Sequence, residues 1–254
     1  MEIYKITDKN LIKLVPLFEG WEETMIRSVL QGEMGSAWAD STVHPSSAML
    51  FIADFCFFAG APDAAVAAWQ PEKTRPYTVF IPRTRDWDAL IEQTYPQARR
   101  SVRYAFRKCN VFDTERLRSF AAALPAGYVL RRMDEALYRQ AAQQEWSRDL
   151  VSQYPTWECY AAHGAGYAVL QGGALVCGAS SYADWPGGIE IEIDTHPAHR
   201  RRGLARASAA ALMLDCLARG LHPSWDAANP VSAHLAQTLG YLPAGAYPVY
   251  EWLR

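Results

Sequence analysis

A chain of 254 residues, half of them apolar, can bury a core in one large domain or two small ones without help from metals or disulfides. A formal charge of −2 excludes a surface that grips nucleic acid or an anionic membrane as a whole, so any anion site has to be local. Cys56, Cys109, Cys159, Cys177 and Cys216 are scattered without paired spacing; they read as reduced thiols, not as a zinc site or a disulfide framework.

The N-terminal "MEIYKITDKN" lacks a basic segment followed by an apolar one. No stretch approaches the roughly 18 apolar residues of a membrane span, so a cytoplasmic location with no membrane partner is expected. Leu11 to Val29 has helical periodicity, whereas "SAMLFIADFCFFAG" and "YTVFIP" are apolar, aromatic runs between breakers, as buried strands are. "RDWDALIEQTY" reads as a helix and "RRSVRYAFRK" as a strand or a short helix. Asp113 is placed to cap a helix over "TERLRSFAAAL", which stops at Pro125 to Gly127. That stop suggests two domains, an α/β one over 1–122 and a second over 123–254.

The second series opens with a strand, "GYVLRRMD", and a helix, "EALYRQAAQQEW". Three strands follow to Thr195, with turns at Gln171 to Gly173 and Asp184 to Gly188, an antiparallel meander. In the third, Ile189, Ile191 and Ile193 alternate with Glu190, Glu192 and Asp194, so the isoleucines should face a core and the carboxylates a polar face or cleft. A helix from Leu204 to about Arg219 is expected to turn Ser208, Asp215 and Arg219 to its polar side and to end at Gly220 and Pro223. The strand "SWDA" leads to Asn229 as N-cap, Pro230, a helix through Leu239, Gly240 as its stop, and a closing strand "YPVYEWL".

The joint between "IEIEIDT" and the next helix concentrates positive charge. Backbone N–H groups at a helix start are unpaired and sit at the positive end of the macrodipole, so a glycine turn there suits phosphate. Gly203 permits close approach, Leu204 points to the core, and Ala205 stays small. Arg200, Arg201, Arg202 and Arg206 offer charge-assisted hydrogen bonds. His196 and His199 flank the loop without a third clustered ligand, so no metal is expected.

"T-H-P-A-H-R-R-R-G-L-A", Thr195 to Ala205, resembles the [Q/R]-x-x-G-x-[G/A] signature of the GNAT superfamily of acetyl-CoA-dependent N-acetyltransferases. "NPVSAHLAQTLGY" is similar to the second helix of that family, and the resemblance runs from Tyr128 to Trp252. "WDAANPVSAHLA" further resembles the zwittermicin-resistance-like branch. The implied fold is mixed α+β, with a central, mostly antiparallel sheet, two splayed strands and flanking helices, preceded by an α/β domain that walls the acceptor pocket or is a degenerate GNAT-like half.

The implied reaction is attack of a small-molecule primary amine on acetyl-CoA in a ternary complex, with no metal and no nucleic acid, by a monomer or homodimer. Acetyl-CoA would lie along Ile193, Asp194 and Thr195, with its pyrophosphate on Arg200 to Ala205 and further contacts from Arg206, Asn229 and Ser232. Glu190, slightly ahead of Glu192, would take the proton of the amine, and a backbone N–H near Asp194 or Thr195 would meet the oxyanion. Many members place a tyrosine seven residues after the capping Asn, where this chain has Ala236. Ser232, Tyr241, Tyr250 or water would then protonate the thiolate. That departure keeps a silent acyl-CoA-binding module open as a rival, and the arginine patches keep open a nucleic-acid-binding protein.

Overall fold

The computed structural model describes residues 2–71, 76–108 and 111–254; Cys109 lies outside the described residues, and Cys56, Cys159, Cys177 and Cys216 are free thiols. The first series of elements is β1 (Tyr4–Ile6), a 3-10 helix (Asp8–Leu14), α1 (Val15–Phe18), α2 (Thr24–Leu30), β2 (Ser36–Ala39), β3 (Ser47–Ile52), β4 (Phe55–Gly60), α3 (Ala64–Ala68), β5 (Tyr77–Pro82), α4 (Arg85–Thr94) and β6 (Arg99–Phe106). After α5 (Thr114–Ala122) come β7 (Tyr128–Arg132), α6 (Glu135–Ala142), a 3-10 turn (Arg148–Leu150), α7 (Trp157–His163), β8 (Gly166–Gln171), β9 (Ala174–Trp185), β10 (Gly188–Thr195), a second turn (Pro197–His199), α8 (Leu204–Ala218), β11 (His222–Ser224), β12 (Asp226–Ala227), α9 (Pro230–Leu239) and β13 (Pro243–Leu253). Set side by side, 3-10 segments aside, residues 4–106 run in the order β-α-α-β-β-β-α-β-α-β, and residues 128–253 repeat it with the strand after α8 split into β11 and β12, a repeat that the residues themselves do not display.

The helix expected over Leu11–Val29 is broken into a 3-10 helix, α1 and α2, because Gly20 at φ 72° turns the chain between the last two. The chain forms two compact units, Met1–Arg103 with Ala246–Arg254, and Tyr104–Gly245. In the first, β1 to β4 pair antiparallel in sequence order and β5 runs parallel to β4; Tyr250 to Leu253 of β13 then pair antiparallel with Tyr77 to Phe80. Its core stacks Phe80 on Tyr95 at 4.4 Å and on Trp252 at 5.9 Å, with Phe58 5.0 Å from the fully buried Trp87.

The division expected at 122/123 differs from this at both ends. Phe106, Phe112 and Leu117 are buried with α8 in the core of the second unit, and "YPVYEWL" supplies Tyr250 and Trp252 to the core of the first. Asp113 caps α5 as expected, accepting from the Arg116 N–H at 3.0 Å.

The five-stranded sheet of the second unit has the order β11-β10-β9-β8-β7, antiparallel except for the parallel β10–β11 pair. Ile189 and Ile191 are buried under α8 and Ile193 packs partly against the same cluster, as alternation requires. α8 is apolar nearly all round: Ser208 is fully buried and turns its hydroxyl back to the Leu204 and Ala205 carbonyls at 3.2 Å, so it is not part of a solvent face.

The β10–β11 pairing covers only Gly188↔His222, Ile189↔Pro223 and Glu190↔Ser224. Beyond it β10 continues along β9 to Thr195, while Asp226 and Ala227 pair with Ala105 and Tyr104 of β6. The expected "SWDA" strand is thus split at Trp225, and Pro223, expected as a helix stop, is a strand residue. Trp225 is 3% exposed, donates Nε1–H to Ser232 Oγ at 3.1 Å and lies 5.4 Å from the Tyr241 ring, which holds the branch point of the fork.

Candidate functional site

Thr195 leads through the second 3-10 turn into Arg200 to Gly203 and α8. Arg201 and Gly203 both take left-handed φ, 61° and 79°. Gly203 is the N-cap of α8 and provides no side-chain cap, so the first-turn N–H groups are left to whatever sits in front of them. Among the described residues, a Cβ on Gly203 would meet only Arg206 Nη2, at 3.7 Å, so the glycine has open space on that side. Leu204, 1% exposed, packs on Val169, Val176 and Cys177 with Ala205 beside it, anchoring the loop to the sheet.

The arginines are held in different ways. Arg200 Nε donates to the Thr195 carbonyl at 3.2 Å, and Arg202 donates to Tyr128 Oη at 3.1 Å and to the Ala198 carbonyl at 3.4 Å. Arg206 lies 4.7 Å over the Phe120 ring. Arg201 is exposed and makes no hydrogen bond or ion pair among the described residues. The histidines are spent locally: His199 Nδ1 is 3.0 Å from Tyr128 Oη, and the His196 ring is 5.5 Å from that of Trp146. No group of three metal-ligating side chains occurs among the described residues.

From Ile191 to Thr195, β10 has β9 on one edge and the mouth of the fork on the other. Among the described residues no strand pairs with that second edge, which leaves it open for a ligand to approach. Glu192, Ile193, Asp194 and Thr195 therefore stand on the open stretch. Glu192 is half-buried and its Oε1 accepts from the Ile193 N–H at 3.2 Å; Thr195 Oγ1 donates to Cys177 Sγ at 3.1 Å. Asp194 is half-buried, and its carboxyl is pushed up to about 6, first by burial and then by the Asp149 carboxylate, with Arg200 opposing.

Glu190 does not share that setting. It lies in the closed part of β10, between β9 and β11, and is 4% exposed, so it is buried and does not stand on the open edge. Tyr241 is a core residue: its hydroxyl donates to the Pro223 carbonyl at 2.7 Å, its ring packs against Phe106, Phe112 and Trp225, and burial drives its pKa far above the usual phenol value. That placement removes it from the proton donors. Tyr250 belongs to the first unit, bonded to Glu92 and Asp88.

Across the fork, Asn229 Oδ1 caps α9 through the Ser232 N–H at 3.0 Å, and Ser232 Oγ accepts from Trp225. Sequence reasoning missed Tyr128, which holds the loop through Arg202 and His199, and Asp149 and Gly178, which set the surroundings of Asp194. No local pattern marks any of the three.

The corresponding joint in the first unit is closed. β4 and β5 stay paired from Phe55↔Val79 to Phe58↔Pro82, the last residue of β5, so no fork opens. α3 has five residues, and Asp63 Oδ1 accepts from the Ala65 and Val66 N–H groups at 2.8 and 3.0 Å. A carboxylate of the chain itself thus takes the place an external anion would need.

The family model for GNAT acetyltransferase matches residues 15–250, well beyond the half of the chain that carries the motifs. A GCN5-related N-acetyltransferase-like protein from Streptococcus suis 89/1591 is 39% identical, superposes with a TM-score of 0.91, and the match covers 96% of this chain and 98% of that one. The uncharacterized N-acetyltransferase YdfB of Bacillus subtilis (strain 168) is 24% identical over 98% of both chains. A tandem GNAT protein from the clavulanic acid biosynthesis pathway, 14% identical over 98% of both chains with a TM-score of 0.59, shares the fold. A match running through both units, and a solved relative this similar over nearly its whole length, make the chain a member of the GNAT acetyltransferase family.

Proposed function

We propose that the chain transfers the acetyl group of acetyl-CoA to a primary amine of a small molecule, by direct attack in a ternary complex. The observation that carries this reading is the fork: an open strand edge from Ile191 to Thr195 leading straight to a helix start with no side-chain cap and clear space over Gly203. Acetyl-CoA supplies the activated thioester. The N–H groups at the start of α8, Arg201 and the arginines around it would hold the diphosphate. A backbone N–H near Asp194 or Thr195 would donate to the thioester carbonyl, with Asn229 and Ser232 bordering the other arm.

An ammonium has no lone pair with which to attack, so a carboxylate on β10 has to take its proton. Glu192 and Asp194 stand on the open stretch, and the negative charge they bring suits a cationic amine acceptor and disfavours a polyanion such as nucleic acid. With Ala236 fully buried where many family members have a tyrosine, Ser232 or water is left to protonate the thiolate.

Calorimetry with acetyl-CoA should give one site per chain, because Asp63 closes the equivalent place in the first unit. Two sites would contradict that closure. Free-thiol release on the same sample, across amino acids, polyamines, aminoglycosides and peptides, should depend on one class of amine. Binding without release from any of them favours the silent acyl-CoA-binding module, and a folded protein that binds no acetyl-CoA ends the reading.

A further inference from the structure

In the antiparallel β9–β10 pair Asp194 stands opposite Gly178, so both face the same side of the sheet. Gly178 lacks a side chain for a steric reason: a Cβ there would come within 2.6 Å of Leu150 Cδ1. The glycine lets the 3-10 turn Arg148–Leu150 lie directly on β9 and β10, with Leu150 fully buried, and this brings exposed Asp149 over the Asp194 side of the strand. The turn belongs to the connection between α6 and α7.

We infer that Asp194 is the catalytic residue that takes the proton of the acceptor ammonium, and that Asp149 is the positioning residue that keeps it basic enough to do so. This rests on the acetyl-transfer reading. Glu190 is shut in at the closed end of β10 and Glu192 turns an oxygen back to the next amide, whereas Asp194 is half-exposed on the open stretch beside the loop.

The charged groups acting on it are Asp149 from the turn and Arg200 from the loop, with Glu192 two residues back on its own strand; the Cys177 thiol of β9 points to the other side of the sheet, where it meets Thr195 and Ser208. Burial and Asp149 raise its affinity for a proton and Arg200 lowers it, which leaves it ionised at neutral pH yet a better base than a solvated aspartate. The carboxylate accepts one proton from the ammonium and passes it to solvent. The nitrogen lone pair forms the C–N bond as the C–S bond breaks, and the second proton leaves the nitrogen for the thiolate, giving amide and free thiol.

The test uses the full chain, acetyl-CoA, and whichever amine of the panel above gives the fastest thiol release. Asp194→Asn should bind acetyl-CoA with the wild-type Kd while kcat falls about 100-fold or more, and the acid limb of the kcat/KM profile near pH 6 should disappear. Asp149→Asn, which removes a like charge, should lower kcat less than Asp194→Asn does and move that limb to lower pH, a shift that a merely structural role would not produce. If Asp194→Asn fails to fold, the limb of Asp149→Asn still decides. A wild-type rate and limb in Asp194→Asn, or an unmoved limb in Asp149→Asn, overturns the assignment and leaves acetyl transfer standing. Wild-type protein that binds acetyl-CoA and acetylates nothing fails the underlying reading, and this inference with it.

Discussion

Gly203→Val should weaken acetyl-CoA binding by at least about 100-fold, roughly 2.7 kcal/mol, in a protein that remains folded. Two effects combine. At φ 79° a residue with a Cβ carries about 1–2 kcal/mol of backbone strain, more for a β-branched one, and the branched side chain would stand in the open space beside Gly203 at the start of α8. Strain alone is controlled at the other end of the same helix, where Gly220 has φ 72° and no atom within 4 Å of an added Cβ. Gly220→Val should show a comparable loss of thermal stability and unchanged acetyl-CoA affinity by calorimetry. Equal affinity in the two variants would remove the helix start from the binding site.

A chain ending at Gly245 should lose the folded state of residues 2–103 while residues 104–245 keep theirs. The last nine residues complete the first unit, since Tyr250 and Trp252 are 1% and 9% exposed in its core and β13 pairs with β5. Removing one buried aromatic of this size costs about 3–5 kcal/mol, and a domain has only about 5–15 kcal/mol to lose, so deleting two together with a strand is decisive. Hydrogen exchange read along the chain is the measurement. Fast exchange should spread through β2 to β5 and α4, with β8 to β10 and α8 still protected; undiminished protection in β3 and β4 would show that the first unit does not need its C-terminal strand.

The glycine turn at the start of α8 was legible because it is local: a glycine, arginines and a helix start follow one another within a few residues, and the backbone does the rest. The same holds for Asn229 and Asp113 as caps and for the alternating isoleucines. The fork was not legible, because it depends on Asp226 and Ala227 leaving β10 for Tyr104 and Ala105, residues far away in sequence, and "SWDA" by itself reads as one strand. Tyr241 looked available as a proton donor until Phe106 and Phe112 were packed against it. The unit boundary was misplaced because the residues that decide it, Leu117 in one core and Trp252 in the other, show their allegiance only through partners distant in the chain. The repeat stayed hidden because α3 and α8 differ threefold in length and one begins at an aspartate where the other begins at a glycine.

A unit assembled from two stretches far apart in the sequence sets an order of events during synthesis. At about 5–20 residues per second, the ribosome needs about 7–28 s to make the stretch between Arg103 and Ala246. Over that interval residues 104–245 are added, while the Phe-rich strands made first still wait for β13, their partner on the β5 edge. Completion of the first unit therefore lags the synthesis of its own first strands, and the nascent β3–β4 hairpin, "SAMLFIADFCFFAG", is the apolar segment most open to misassociation in the meantime.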